Sequence, residues 1–385
     1  MPFYRRVGEI PHKRHTQFRK PDGGLYAEEL MGEEGFSFDS ALLYHRHSPT
    51  ALVSIEAVDS EPYELTPNHP LRPRHFKTQN LKGGGDPISG RHLMMANDDC
   101  RISYVATDQS SPLTKNAMGD EMVFVQSGSG SLESVFGRLA FRAGDYVIVP
   151  ASTIHRWDLD ERVEALVLET RAHIGPPRRY LSRNGQFLEH APYCERDLRG
   201  PAEPLLVEGE MVDVLVRSWS GVSKYTYRNH PFDVVGWDGC LYPYTFSIHD
   251  FEPITGRVHQ PPPVHQTFEA PNLVVCSFVP RKFDYHPDAI PAPYNHSNVD
   301  SDEVLFYVEG NFMSRKGSGI EPGSISLHPG GHTHGPQPGS VEASIGKEGT
   351  EEIAVMIDTF RPLSLGPGAR DAEDDAYAWT WLGGR

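Results

Sequence analysis

Two histidines and one glutamate in the C-terminal half of the chain have the types and spacing of metal ligands. His296 precedes Glu303 by seven residues, and His334 follows Glu303 by 31 residues. Neutral imidazoles and a carboxylate can hold Fe(II) on one face, which leaves positions open for a substrate and for O2. The set contains no thiolate, so it does not resemble a structural zinc site. The three residues therefore predict a reactive non-haem iron centre.

Asp302 competes with Glu303 for the carboxylate position. Successive side chains of a strand point to opposite faces, so only one of these two neighbours can face inward. Six residues separate Glu303 from Gly310, and six also separate Glu121 from Gly128. The repeated gap favours Glu303 as the ligand and leaves Asp302 as the alternative.

Two further histidines, His328 and His332, flank the same turn as His334. Either of them could substitute as a ligand, but the spacing favours His334.

The elements that must position these residues are short apolar runs rich in Val, Ile, Phe and Tyr. Such runs occupy residues 138–150, 164–170, 272–279, 303–310 and 352–360, and Gly, Pro, Asp or Asn bound them. Their lengths and their β-branched and aromatic content are typical of strands. Many short strands with frequent turns indicate barrels or sandwiches. We therefore expect an all-β dominated fold.

An internal duplication is visible in the spacing of a few residues. In each copy, a glutamate is followed by a glycine seven positions later. Further along, a second glycine is followed by a proline six positions after it and by a histidine eleven positions after it. The two sets are Glu121, Gly128, Gly144, Pro150, His155 and Glu303, Gly310, Gly323, Pro329, His334. The repeat predicts two similar barrels. The first has no histidine at residues 116–119, so we interpret it as a barrel that has lost its metal.

These features divide the chain into five predicted parts. They are an N-terminal arm with strands packing on the barrels (1–90), the first barrel (91–185), a connecting segment (186–240), the second barrel with the metal site (241–365) and an acidic, solvated C-terminal tail (366–385).

Composition excludes several classes of partner. The formal net charge is −16, which repels nucleic acid. No apolar run approaches the roughly 18 residues of a membrane span, and the N-terminus has no secretory apolar region. The four cysteines form no CxxC motif, so we expect reduced thiols in a cytoplasmic protein. Arginines flank the histidine clusters at residues 12–15 and 45–47, which predicts a solvated arm or a subunit contact rather than metal sites.

The residues around the predicted ligands resemble the cupin signature, with Asn298 in place of its usual second histidine. A wider resemblance extends from near residue 25 to the C-terminus. The segments LYAEELMG (25–32), ALLYHRHSP (41–49), FVPR (278–281), PYNHSN (293–298) and SLHPGGHTHGP (326–336) resemble segments of homogentisate 1,2-dioxygenases.

This resemblance implies two cupin-like, jelly-roll barrels, Fe(II) as cofactor and a homo-oligomer with an extended N-terminal segment. It places the iron ligands on His296, Glu303 and His334. It also implies that Glu28, Pro293 and Asn298 contact the substrate. The acid/base histidine of the family is best matched by His265, with His259 as the alternative.

The implied reaction is ring cleavage of homogentisate by O2 to give maleylacetoacetate, a step of tyrosine and phenylalanine catabolism. Two departures concern the substrate. The family's spacing from its ligand histidine to its ligand glutamate leads to Asp302 in this chain, and Glu303 is one residue later. A tyrosine in the family's substrate pocket corresponds to a position near Phe312, and Tyr307 is the nearby tyrosine. The alternatives are therefore cleavage of another hydroxylated aromatic, such as gentisate, a salicylate, hydroquinone or an aminophenol, and a metal-binding cupin without oxygenase activity.

Overall fold

The computed structural model describes residues 3–58 and 64–382, and these residues form mainly β-strands. Within these ranges the α-helices are two short ones, Ser340–Ser344 and Pro367–Ala372. Single 3-10 turns or short 3-10 helices lie at Glu34–Phe36, Thr78–Asn80, Arg178–Tyr180, Glu195–Asp197, Ile248–Asp250, Pro262–His265, Met313–Arg315 and Tyr377–Leu382. The described helices are all too short or too polar to cross a membrane. The prediction of an all-β dominated fold is confirmed.

Two large sheets build the first barrel. The nine-stranded sheet has the order Leu198–Arg199, Tyr244–Ser247, Asp145–Val149, Glu121–Ser127, Val163–Thr170, Cys100–Thr107, His92–Ala96, Ser364–Leu365, Thr66–Pro67. The seven-stranded sheet has the order Gly137–Arg142, Ser129–Ser134, Ile154–Leu159, Thr114–Asn116, Glu210–Ser218, Gly221–Asn229, Leu52–Val58.

Side chains of these two sheets meet in an apolar core. Val123 from the nine-stranded sheet and Trp157 from the seven-stranded sheet belong to the same buried cluster. The next residue along the strand, Phe124, faces the other way and packs against Phe306, with ring centroids 6.2 Å apart. The nine-stranded sheet is thus buried on both faces, which explains why its strands are continuously apolar instead of alternating.

A six-stranded sheet builds the second barrel. Its order is Gln266–Ala270, Leu273–Phe278, Ile353–Thr359, Asp302–Glu309, Ser324–His328, Arg74–Lys77. A two-stranded ribbon pairs Arg281–Lys282 with Gly349–Thr350.

The duplicated glutamates occupy equivalent positions in their sheets. Glu121 begins a strand that pairs with Asp145–Val149 on one side and Val163–Thr170 on the other. Glu303 is the second residue of a strand that pairs with Ser324–His328 and Ile353–Thr359. Each glutamate strand therefore lies between two neighbours: the strand that follows the second glycine of the repeat, and a strand later in the sequence. The shared arrangement agrees with an internal duplication.

The two barrels exchange strands through distant parts of the chain. Arg74–Lys77, from the N-terminal part, adds the last strand to the six-stranded sheet. Ser364–Leu365, from the C-terminal part, pairs in the nine-stranded sheet. Tyr244–Ser247 also joins the nine-stranded sheet, which therefore takes strands from both sides of residue 241.

A four-stranded N-terminal sheet contains one of the histidines at residues 45–47, which were predicted to form a solvated arm or a subunit contact, and it rules out the solvated arm for His45. Its order is Arg5–Gly8, Val234–Gly239, Ser40–His45, Ala27–Gly32. His45 is buried, with Nδ1 2.7 Å from Asp233 Oδ1 and Nε2 3.0 Å from Glu29 Oε2. Burial opposes protonation of His45, but the two carboxylates outweigh it and raise the pKa to about 9. The sequence pattern could not show these partners, because Asp233 lies 188 residues away.

The C-terminal segment also departs from its prediction as a solvated tail. Ala369 and Ala372 are fully buried, and Tyr377 is 1% exposed. The acidic residues that suggested solvation pair instead with basic residues at the strand Arg74–Lys77. Glu373 contacts Arg72 and Arg74. The segment is therefore held against the second barrel by ion pairs and apolar contacts.

Candidate metal centre

His296, Glu303 and His334 converge in the second barrel. One donor atom from each lies within 4.8 Å of the others. His296 Nε2 is 3.6 Å from Glu303 Oε2, and His334 Nε2 is 3.3 Å from Glu303 Oε1. The two histidines are held together by a pair of backbone hydrogen bonds, His296 N to His334 O at 2.8 Å and the reverse at 2.9 Å. The sheet supplies the carboxylate, and this isolated bridge supplies both imidazoles.

Backbone carbonyls fix which nitrogen of each imidazole is free. His296 Nδ1 lies 3.1 Å from Tyr294 O, and His334 Nδ1 lies 3.1 Å from His332 O. Since a carbonyl only accepts, each Nδ1 carries a proton, which leaves Nε2 as the nitrogen that can bind a metal ion. His334 Nε2 is buried and has no hydrogen-bond partner. A buried nitrogen of this kind is costly unless it is bound, and a metal ion between the three residues fits it.

The electrostatics of Glu303 agree with a ligand role. Burial would raise its pKa, but contacts with His296, His328 and His334 lower the pKa well below its ordinary value. The carboxylate is therefore ionised and able to bind a cation.

Asp302 has a different task from its neighbour. Its Oδ1 accepts the Gly330 N–H and its Oδ2 accepts the Leu363 N–H, both at 2.8 Å. Strand alternation sends it to the opposite face, where it fixes two loops. The geometry therefore favours Glu303 over Asp302 as the carboxylate ligand.

His328 links the three candidate ligands His296, Glu303 and His334, called the metal group below, to the C-terminal segment. Its Nδ1 is 2.8 Å from Glu303 Oε1, and its Nε2 is 2.9 Å from the hydroxyl of Tyr377. Burial, helped by Arg315, lowers the pKa of His328 to about 3, so the ring is neutral. Its Nδ1–H then donates to Glu303, and its Nε2 accepts from Tyr377. With both nitrogens engaged, His328 orients Glu303 instead of binding the metal.

Sequence reasoning missed Tyr377 and Trp381. Trp381 Nε1 donates to Gly335 O at 3.0 Å, beside His334. The available signal was the aromatic run AYAWTW at residues 376–381, which is unusual for a solvated segment. The acidic residues before it, 373–375, masked that signal.

Removing the Tyr377 hydroxyl should loosen the metal site without unfolding the barrel. In Tyr377→Phe the ring packing stays, but His328 loses its donor and Glu303 is oriented less firmly. Loss of such an outer partner costs about 10- to 100-fold in metal affinity. Anaerobic titration with Fe(II) measures the dissociation constant. Tyr285→Phe, at a tyrosine that is 70% exposed, is the matched control. Equal affinities for both variants would exclude the orienting role.

Arg315 is a second residue that the sequence did not single out. It is buried, its Nε donates to the Tyr307 hydroxyl at 3.1 Å, and its Nη1 donates to Gly335 O at 2.7 Å. Burial disfavours the guanidinium charge, but Tyr307, Tyr377 and Glu303 together raise the pKa of Arg315. The metal group therefore has a fixed cation near it.

The predicted substrate residues are distributed unevenly around this centre. Tyr307 lies on the same strand face as Glu303, but its hydroxyl is engaged by Ser326 at 3.1 Å and by Arg315. Phe312 packs edge-on against the Tyr307 ring, with centroids 5.0 Å apart. Both positions discussed for the pocket tyrosine therefore lie together.

Pro293 and Asn298 lie in the loop that carries His296. Pro293 is exposed, and Asn298 is half-buried, with its backbone oxygen accepting the Gly331 N–H at 2.8 Å. Glu28 is elsewhere, in the four-stranded sheet, where its Oε2 is 2.6 Å from His15 Nδ1. Within the described chain the structure does not bring Glu28 to the metal group.

The two candidates for the acid/base histidine differ in their surroundings. His265 is buried against Phe278, and its Nδ1 has no hydrogen-bond partner. Burial, with smaller effects of Arg281 and His259, lowers the pKa of His265 to about 3. His259 is more exposed, and its ring lies 5.1 Å from that of Tyr294. Tyr294 in turn neighbours His296, with ring centroids 6.3 Å apart.

The equivalent position in the first barrel is filled by an arginine. Arg91 donates to both oxygens of Glu121, at 2.9 and 2.7 Å. Burial would raise the pKa of Glu121, but Arg91 and further cations lower it. His155, the partner expected from the repeat, is buried with its Nδ1 bonded to Thr153 O. A guanidinium thus sits where a metal would have to bind, which supports the interpretation that this barrel has lost its metal.

Comparisons with known proteins agree with this geometry. No family model matches the chain. A protein of Saccharolobus solfataricus described as a "Putative dioxygenase" is 39% identical over 385 residues, which cover 99% of both chains. Homogentisate 1,2-dioxygenases of Bradyrhizobium diazoefficiens and Nitrobacter hamburgensis are 27% and 29% identical, and each match covers 70% of this chain and 62% of the relative. The chain is therefore an enzyme of the dioxygenase type that belongs to the same family as the Saccharolobus solfataricus protein and is similar to homogentisate 1,2-dioxygenases.

Proposed function

We propose that this enzyme uses Fe(II) and O2 to open the ring of homogentisate, giving maleylacetoacetate. The observation that carries the proposal is the convergence of His296, Glu303 and His334 on one point. Two imidazoles and one carboxylate without a thiolate suit Fe(II) and leave positions for substrate and O2. Bound iron would supply the activation of O2 next to an electron-rich ring.

The residues of the chain would prepare this site for the reaction. Tyr294 and His332 carbonyls hold the two imidazoles in the tautomer that presents Nε2. Tyr377 and His328 hold Glu303. Glu303 and His334 are buried, which strengthens the charge interactions that they make.

The charge of the site fits an anionic aromatic substrate. Homogentisate carries a carboxylate arm and a neighbouring ring hydroxyl, which together can chelate a metal. Arg315 is a buried cation near Glu303 and would offset the negative charge that such a substrate adds. His265 would accept or share the proton of a ring hydroxyl, with His259 as the alternative.

Cleavage of another hydroxylated aromatic is the second candidate. It is favoured by the internal bonding of the Tyr307 hydroxyl to Ser326 and Arg315, which leaves that group committed within the protein. Phe312, at the position of the family tyrosine, offers no hydroxyl at all. Recognition of the second ring hydroxyl of homogentisate could therefore differ in this chain.

Oxygen uptake separates these candidates. Purified enzyme is reconstituted anaerobically with Fe(II) and supplied with homogentisate or gentisate side by side. We expect rapid uptake of one O2 per homogentisate, with maleylacetoacetate as product. Uptake only with gentisate, or only with another of the hydroxylated aromatics named above, would support ring cleavage and reject homogentisate as the substrate. An iron-loaded enzyme that consumes no O2 with any of them would contradict the proposal.

The homo-oligomer and the cytoplasmic location remain predictions.

A further inference from the structure

A second group of potential metal ligands lies outside the catalytic barrel, where the N-terminal sheet meets the first barrel. Glu33 follows the strand Ala27–Gly32, Asp120 precedes the strand Glu121–Ser127, and His173 follows the strand Val163–Thr170. One donor atom from each lies within 4.8 Å of the others. Three separate elements thus bring two carboxylates and one imidazole to a single point.

The first-barrel part of this group is rigidly held. The side chain of Asp120 is 3% exposed, and its two oxygens accept the backbone N–H groups of Ala151 and Ile174, at 2.8 and 2.9 Å. The backbone of Asp120 is also bonded to Thr170 and Ala172. The Asp120 carboxylate is therefore fixed in place, and its bonds with Ala172 and Ile174 hold the backbone on both sides of His173.

The contacts of His173 resemble those of His334 in the catalytic centre. His173 Nδ1 is buried, and it lies 3.0 Å from Glu33 Oε1 and 3.6 Å from Asp120 Oδ1. The first contact is short enough for an ion pair with a protonated imidazole, but it lacks the direction of a hydrogen bond, and the second contact is long. His334 Nε2 likewise lies 3.3 Å from Glu303 without the direction of a hydrogen bond. In both places one imidazole nitrogen and carboxylate oxygens lie close enough together to share one cation, either a proton or a metal ion.

The surroundings favour a cation and give it access. The group borders a cavity of about 960 Å³ at the junction of the N-terminal segment with both barrels. Two carboxylates face one imidazole, and three further carboxylates line the same cavity against two guanidinium groups: Glu34, Asp39 and Glu269 against Arg178 and Arg183. The local excess of acidic groups attracts positive charge.

We propose that Glu33, Asp120 and His173 bind a divalent transition-metal ion, such as Zn²⁺, at a site separate from the catalytic centre. Imidazole and carboxylate are usual ligands of Zn²⁺, and three protein ligands leave a position open towards the cavity. By joining Glu33 to Asp120 and His173, the ion would tie the N-terminal segment to the first barrel.

An ion pair is the competing state of the same residues. Without a metal, Asp120 and Glu33 raise the pKa of His173 to about 10, so the imidazole is protonated. An experiment must therefore count metal ions and not only measure stability.

The test is the number of metal ions per chain after equilibration of the full-length, iron-loaded enzyme with Zn²⁺ and removal of free metal. We expect two ions in the wild type and one in both His173→Ala and Glu33→Gln. His190→Ala, at an exposed histidine, is the matched control and should retain two. His334→Ala should lose the catalytic ion and keep the other, which makes the result independent of the proposed reaction. Anomalous scattering at the zinc edge should locate density between Glu33, Asp120 and His173.

Two results would overturn the proposal. One is a single ion per wild-type chain, with no anomalous density at this group. The other is a His173→Ala variant that melts at a lower temperature with unchanged metal content, since this identifies an ion pair only. Glu33→Gln guards against misfolding, because it removes a charge without removing volume.

Discussion

Replacing His334 by alanine should abolish iron binding and turnover together. The imidazole supplies one of three donors, and two remaining protein ligands hold Fe(II) poorly. The loss also leaves the ionised Glu303 buried beside one fewer partner. Iron content after anaerobic reconstitution and oxygen uptake measure the two effects.

His332→Ala is the matched control for this variant. His332 lies in the same turn and could be mistaken for a ligand, but its contribution to the site is its backbone oxygen, which accepts from His334 Nδ1. Alanine keeps that oxygen, so iron content should stay at one per chain. If His332→Ala lost iron and His334→Ala kept it, the assignment of the ligand would be wrong.

Replacing His265 by alanine should keep the iron and lower kcat by about 10²- to 10⁴-fold, the usual contribution of a positioned acid or base. The reason lies in the buried Nδ1 that has no partner. Because burial lowers the pKa of His265 to about 3, the ring is neutral at working pH and can accept a hydrogen bond from a ring hydroxyl. Its own titration should therefore add no step to the kcat profile between about pH 5 and 8, where an ordinary histidine would titrate.

His259→Ala separates the two histidine candidates. The ring of His259 contacts that of Tyr294, which neighbours His296, whereas the ring of His265 packs against Phe278. A His265→Ala enzyme with full kcat, together with a slow and iron-loaded His259→Ala enzyme, would transfer the acid/base role to His259. Iron analysis of both variants ensures that a lost metal is not mistaken for a lost base.

The sequence by itself determined the class of fold and singled out the three candidate metal ligands that the structure brings together. Short β-branched runs bounded by Gly and Pro have few alternatives to strands, so the all-β class followed from local preference. The spacing of Glu303 and Gly310, repeated at Glu121 and Gly128, identified the central strand of each barrel. Strand alternation then separated Glu303 from Asp302. Each of these features is encoded by residues close together in the chain.

Only the tertiary structure decided which distant residues complete the site. Tyr377 bonds His328, from which it is 49 residues distant in the chain, and His328 bonds Glu303. In the first barrel, Arg91 bonds Glu121, from which it is 30 residues distant. His45 was predicted to lie in a solvated arm or a subunit contact because arginine flanks it, yet it is buried and paired with Asp233 and Glu29. Local patterns record which face of a strand is apolar. They do not record which polar groups meet across the fold, because that depends on how whole sheets pack together.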